Sequence, residues 1–413
     1  MSDDAVLTND PAQRGPVVDF DHHSHGYVDG CWKIYDDLRA RCPVAYTGAH
    51  GGFWVLSRYE DIAQVARDDA TFSSTNGITI PPSAERSIPI DMDPPQSEPY
   101  RRLLLPYFSP RAVEYWTPRV RRWGSVCVDQ VIETGRIDLI MDLANPLPAL
   151  FTCEFIGLPI ENWAIYARPM HELVYSIPGT SEFDAAIQGG HEIVRNLHDL
   201  VAQERKHPSK SMLGDLVQAR VEDELMSDET IVGICNLIMA GGFDTTTSLA
   251  GNVFKHLDEN PAARRKLIDQ PDLIPSAIDE YLRYFSPQTA LARTATKDTE
   301  IGGVRIKKGE KVMLAWSAAN HDPTAFDAPD EVDFERFPNR HQAFGLGVHR
   351  CLGSHFARAE MESMLREILT RLPDFKLTDG AQRYPSIGVV NGWINMPATF
   401  TPGARRFPGE PLP

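Results

Sequence analysis

The run Ala343-Phe344-Gly345-Leu346-Gly347-Val348-His349-Arg350-Cys351-Leu352-Gly353 constrains the fold more than any other part of the chain. Three glycines surround one cysteine, and glycine lets a backbone turn tightly and approach a bulky flat neighbour where a Cβ would collide. Phe344 offers an aromatic face to the same neighbour. The spacing of Phe356, Met361, Met364, Leu365, Ile368, Leu369 and Leu372 predicts a helix over 354–372. Cys351 then falls at or just before that helix's N-terminus. The positive end of the dipole and nearby N–H groups are expected to lower its pKa and hold it as thiolate.

Several chemistries are open to such a cysteine. It could be an inert buried thiol, a nucleophile beside His349 or His355, a zinc ligand with them, or an iron ligand. The other cysteines (Cys31, Cys42, Cys127, Cys153, Cys235) have no paired spacing, which argues against a four-ligand zinc site. A nucleophile has no need of the glycine frame. The pattern Phe-Gly-x-Gly-x-His-x-Cys-x-Gly resembles the haem-binding signature of the cytochromes P-450, with every fixed position present. The resemblance implies haem b (iron protoporphyrin IX) ligated through Cys351, with Phe344, Gly345 and Gly353 framing it. In such enzymes the thiolate pushes electron density onto iron and favours O–O cleavage.

Three further motifs follow the same pattern. Glu280-Tyr281-Leu282-Arg283 sets a glutamate and an arginine on one helical face as an (i, i+3) pair. Alone it would be an ordinary surface ion pair. The resemblance joins it to Arg336 as a structural lock beneath the haem.

The run 227–260 predicts one long helix with Ser227 as N-cap and Asp228 and Glu229 in its first turn. Gly241-Gly242-Phe243-Asp244-Thr245-Thr246-Thr247 interrupts it with poor helix formers, each glycine costing roughly 1 kcal/mol against alanine. Close packing would explain the glycines. Threonine hydroxyls can also bond back to the i−4 carbonyl and open the helix. By resemblance this is the oxygen-binding motif, in which Thr245 steadies the oxygen being activated and Asp244 feeds the proton relay.

The third motif is a set of cations for two haem propionates. Arg101, following Asp93-Pro94-Pro95, Arg293 in an expected strand, and His349 match the family's clamp, where arginine suits a carboxylate. Many bacterial members carry histidine where this chain has Ser97, a weaker donor.

The four motifs lie at 101, 241–246, 280 and 351, so one site draws on most of the chain. The expected organisation is a disordered tail over 1–15, a single haem domain over 16–403 and a loose tail over 404–413, already Pro- and Gly-rich from Thr401. The expected fold is mainly α, the helix-rich P-450 prism with small sheets, with β segments near 51–57, 300–304, 311–314 and 392–400. No apolar run of membrane-spanning length is expected. The first fifteen residues lack the apolar core of a signal peptide. Few, irregular cysteines fit a reducing cytoplasm, and the net charge of −16 disfavours nucleic acid and anionic membranes.

The likeness is to soluble bacterial members of the camphor-hydroxylase type, although the tyrosine that binds the camphor ketone would fall near Glu85. It implies O2 as co-substrate, a ferredoxin with an NAD(P)H-dependent reductase as electron source, and a monomer. Arg101, Arg102, Arg350 and Arg358 could form a basic docking patch for that carrier. Substrate-facing positions would be Ile78, Leu237, Ala240, Gly241, Thr289, Leu291, Val389 and Val390, mostly apolar. They suggest a terpenoid, steroid or branched lipid. The activity implied is monooxygenation. The alternative is a haem-thiolate protein that does not insert oxygen from O2: a peroxygenase, isomerase, dehydratase or sensor.

Overall fold

The computed structural model describes residues 15–83 and 86–413. Residues 1–14 of the expected tail and Glu85 lie outside them. About 52% of the structure is helical, in agreement with the mainly α expectation. The largest sheet has five strands in the order Val44–Thr47, Phe53–Leu56, Lys311–Leu314, Leu291–Ala295 and Phe72–Ser73. Lys311–Leu314 runs parallel to Phe53–Leu56 and antiparallel to Leu291–Ala295. Arg293 therefore sits in a central strand, as expected. Trp54, Phe53, Val312 and Leu314 are buried together on this side, while a larger apolar cluster fills the space between the helices.

The 227–260 run is not one helix. Ser227 caps the first segment through Thr230 N, and Asp228–Gly242 ends at Phe243 (φ −75°, ψ −75°) before Asp244–Glu259 begins. The glycine and threonine composition weakens the ladder at that point, and packing stabilises the break. A Cβ on Gly242 would lie 3.0 Å from Thr152 Oγ1, so a neighbouring helix, Pro146–Ile156, fills that side. A short π-helix, Leu139–Ala144, braces the other. Its Ala144 carbonyl accepts a 2.8 Å bond from Thr247 Oγ1.

Three further expectations change. The segment near 300–304 is a hairpin, Thr299–Ile301 against Val304–Ile306, turning on Gly302 and Gly303 at positive φ. The 18-residue run Leu139–Ile156 is apolar and long enough to cross a membrane, contrary to expectation, but 83% of it is buried within the fold. The segment 404–413 is docked rather than loose. Arg406 bonds Glu367, the Phe407 N–H donates to Asp129, and Arg122 pairs with Glu410 over the Phe407 ring. Charged residues on two helices hold what composition alone marks as a tail.

Candidate active site

The cysteine loop is anchored from below. Glu280 and Arg283, both fully buried in the helix Ile274–Phe285, form a bidentate pair at 2.8 and 2.9 Å. Arg336 donates to both Glu280 oxygens at 3.1 Å, and the Asp333 N–H adds a 2.9 Å bond. Arg283 also ties down the carbonyls of Asn320, Pro329 and Glu331. From there Asn320 Oδ1 accepts from Gln342 N at 2.7 Å, which places the residue just ahead of the loop. The three structural residues are thus brought together.

Within the loop, Cys351 N–H donates to the Phe344 carbonyl at 2.9 Å, closing a tight turn. Gly345 and Gly347 have φ of +65° and +71°. A Cβ on Gly347 would meet the Ala66 carbonyl oxygen at 2.4 Å, so both conformation and space demand glycine there. Gly353 has an ordinary φ and caps the helix Ser354–Arg371. Cys351 opens onto a cleft of about 520 Å³ bordered by Arg101, Arg102, Leu105, Arg350 and His355. Burial pushes its thiol up, and the Gly353 N–H with the Arg350, Arg101 and Arg358 charges only partly offsets this. Arg358 is spent elsewhere: it pairs with Asp279 at 2.8 Å and stacks on Phe344 at 4.7 Å. It does not belong to a free basic patch.

The propionate residues leave polar groups unmatched. Arg293 is 3% exposed and donates to its neighbouring Ala292 carbonyl. Burial pulls its pKa down to about 10, with Asp93 and Asp91 opposing. His349 is buried with neither ring nitrogen partnered, and Ser97 Oγ is likewise buried and unpartnered. Burial, then the charges of Arg293 and Arg101, pull His349 down to about 4. Arg101 reaches across to the Arg350 carbonyl at 2.9 Å. Each orphaned group costs about 1–3 kcal/mol. The Arg293 and Arg101 cations, with the unpartnered buried His349 ring and Ser97 hydroxyl beside a soft thiol, fit a flat dianionic iron porphyrin.

On the helix break, Thr245 Oγ1 donates to the Gly241 carbonyl at 2.7 Å. A Cβ on Gly241 would meet nothing within 4 Å, so this face is open. Asp244 is buried and accepts a 2.5 Å bond from His171 Nδ1, with the Tyr384 hydroxyl 3.3 Å from the same nitrogen. Glu360, on the helix after Cys351, is buried against Thr246; burial pushes its pKa up to about 8 against the pull of that hydroxyl. Sequence reasoning missed His171, Tyr384 and Glu360. They belong to no local motif, and only tertiary packing joins them to Asp244 and Thr246.

The substrate-facing set divides. Ala240 and Gly241 are exposed, and Ile78, Leu237, Leu291 and Val389 are half-buried. Thr289 and Val390 are both 2% exposed and form the wall behind. The Thr289 hydroxyl is held by the carbonyls of Ile387 and Gly388 at 3.0 Å, so it is committed to a backbone turn and not offered to a substrate.

The family model described as "Cytochrome P450" matches residues 181–386. The chain is 34% identical over 389 residues to the steroid C26-monooxygenase of Mycolicibacterium smegmatis, covering 92% of this chain and 95% of that one. It is 30% identical to cytochrome P450 109 of Bacillus spizizenii over 91% of each. Among solved structures, Mycobacterium marinum CYP268A2 in complex with pseudoionone superposes with a TM-score of 0.86 at 28% identity, covering 94% of this chain and 99% of that one. Sequence, fold and the thiolate loop agree: the chain belongs to the cytochrome P450 family, as a haem b oxidoreductase of the bacterial monooxygenase type.

Proposed function

We propose that this chain hydroxylates or epoxidises an apolar terpenoid, steroid or branched lipid, using O2 and electrons from a ferredoxin, in one haem domain over 16–403. The observation that carries the reading is the break at Phe243, which sets a buried carboxylate and a hydroxyl side by side next to an open helix face. When bound, haem supplies the iron at which O2 is activated. Cys351 would hold that iron, and Arg101, Arg293, His349 and Ser97 would receive the two propionates. Phe344, Gly345 and Gly353 frame the loop. Thr245 Oγ1 holds its proton on the Gly241 carbonyl; rotating away presents that proton to the open face. Asp244 can refill it from the protein side by passing on a proton taken from His171 Nδ1.

The half-buried apolar positions Ile78, Leu237, Leu291 and Val389, with exposed Ala240, suit a non-polar substrate. A steroid C26-monooxygenase and Bacillus megaterium CYP109E1 in complex with testosterone, both among the similar proteins, lean the same way. For the electron carrier, Arg101, Arg102 and Arg350 border the cleft at Cys351 on a chain of net charge −16. A local cationic rim on an acidic protein would steer an acidic ferredoxin. Six free cysteines accord with a cytoplasmic protein, and we take it to act there as a monomer.

The test is Thr245→Ala with a substrate found by Soret spin-shift screening. The expected result is continued NAD(P)H consumption diverted to hydrogen peroxide. Unchanged coupling would refute the relay, and no oxygen incorporation by the wild type would refute the monooxygenase reading. Charge reversal at Arg102 and Arg350 should slow reduction by ferredoxin and flatten its salt dependence.

A further inference from the structure

Away from the cysteine loop, His22, His23 and His50 bring one ring nitrogen each within 4.8 Å of one another. Their hydrogen bonds set the tautomers. His22 Nε2 and His23 Nε2 lie 2.9 and 3.0 Å from the Ile80 carbonyl oxygen, and His50 Nε2 lies 2.8 Å from Asp21 Oδ1. A carbonyl or an ionised carboxylate only accepts, so each Nε2 carries the proton and each Nδ1 keeps its lone pair. His23 Nδ1 accepts from the Ser386 hydroxyl at 2.8 Å. His22 is 2% exposed, and its Nδ1 has no partner at all. Metal-bound histidines typically donate their second N–H to a carbonyl or carboxylate in this way.

Two further observations favour a ligand over simple ring packing. A buried unpartnered nitrogen costs about 1–3 kcal/mol, a cost that packing alone does not remove. His50 also sits in the left-handed region (φ +49°, ψ +35°), an uncommon conformation for a non-glycine residue that clusters at functional sites.

We propose that His22, His23 and His50 bind one divalent transition-metal ion of the zinc class, with water completing the coordination. Imidazole donors suit zinc, copper and nickel over magnesium or calcium. Zinc–nitrogen bonds of about 2.0–2.1 Å place tetrahedral ligands roughly 3.3 Å apart, so binding draws the imidazoles inward by about an ångström. The site links the segment before the helix His25–Arg41 to Ile80 and Ser386. Ile80 lies two residues from Ile78, and Ser386 opens the turn held by Thr289. Ligation by His23 Nδ1 would replace its bond from the Ser386 hydroxyl, so metal binding would tie the segment before that helix to the Ile80 carbonyl, next to the proposed substrate position Ile78. The metal reading does not depend on what the substrate is.

The experiment uses untagged, haem-loaded full chain, stripped with chelator and dialysed against ten micromolar free zinc. One zinc per chain is expected, with a nitrogen-rich first shell at the zinc K-edge. His50→Gln should weaken binding at least tenfold while the reduced carbon monoxide band stays unchanged, and His207→Gln on the exposed surface should have no effect. If His50→Gln fails to load haem, Asp21→Asn, which removes the acceptor from His50, should weaken zinc in the same direction. No zinc on the wild type would overturn the proposal, as would equal binding by His50→Gln or Asp21→Asn.

Discussion

Asp244 is held by His171: the buried carboxylate accepts a 2.5 Å hydrogen bond from Nδ1 of an equally buried imidazole on the helix Trp163–Tyr175. The acid that the sequence marks for proton delivery is thus tethered by a titratable partner. Burial lowers the basicity of His171, but the charge and hydrogen bond of Asp244 outweigh it, and the pKa ends above the usual 6.5. Glu172 nearby adds to the rise, and the Tyr384 hydroxyl and Tyr175 ring complete its surroundings.

A raised folded-state pKa contributes stability that is full below the unfolded value and lost as pH rises through the folded one. Wild-type thermal stability should therefore decline above pH 6.5 more steeply than that of His171→Gln. Parallel curves for the two proteins between pH 6 and 9 would mean that the pair is not charged in the native state.

Glu360 has the opposite chemistry, a carboxyl kept neutral by burial, with a pKa of about 8 against an ordinary 4.5. Between those values the unfolded chain releases a proton that the native state retains, so native stability falls as pH rises. Glu360→Gln removes that proton exchange. The variant should gain stability relative to the wild type as pH climbs from about 4.5 to 8, measured by denaturant unfolding across that range.

Glu280 is the acceptor on which Arg283 and Arg336 converge. Removing its charge leaves two buried guanidinium groups without their counterion, a loss of about 3–5 kcal/mol. Glu280→Gln should lower the melting temperature and release haem at lower denaturant concentrations. Retention of wild-type stability would show that the neighbouring carbonyls alone hold both arginines.

Gly347→Ala should disrupt the cysteine loop. The substitution forces a side chain into the left-handed region, at about 1–2 kcal/mol, and drives its Cβ to 2.4 Å from the Ala66 carbonyl. The expected outcome is loss of the thiolate-type carbon monoxide band with little change in helix content by circular dichroism. Leu346→Ala, on the same loop at ordinary φ, should keep the band.

The local motifs were legible because each is a short run whose chemistry is carried by neighbours in the chain. The glycine frame of Cys351, the (i, i+3) pair Glu280–Arg283 and the Gly241–Thr246 interruption are all of this kind, and they sufficed for the mainly α fold and the haem b cofactor. What the chain order could not contain is which distant group meets each of these. His171 on Asp244, Glu360 against Thr246 and His22 with His50 are meetings across 73, 114 and 28 residues of sequence. Burial, too, is a property of the packed whole. It withdrew Thr289 and Val390 into the wall, while ion pairs and hydrogen bonds from two helices held residues 404–413. Sequence determined which groups are present and which local turns they can make; tertiary packing decided which are desolvated and what charge each one faces.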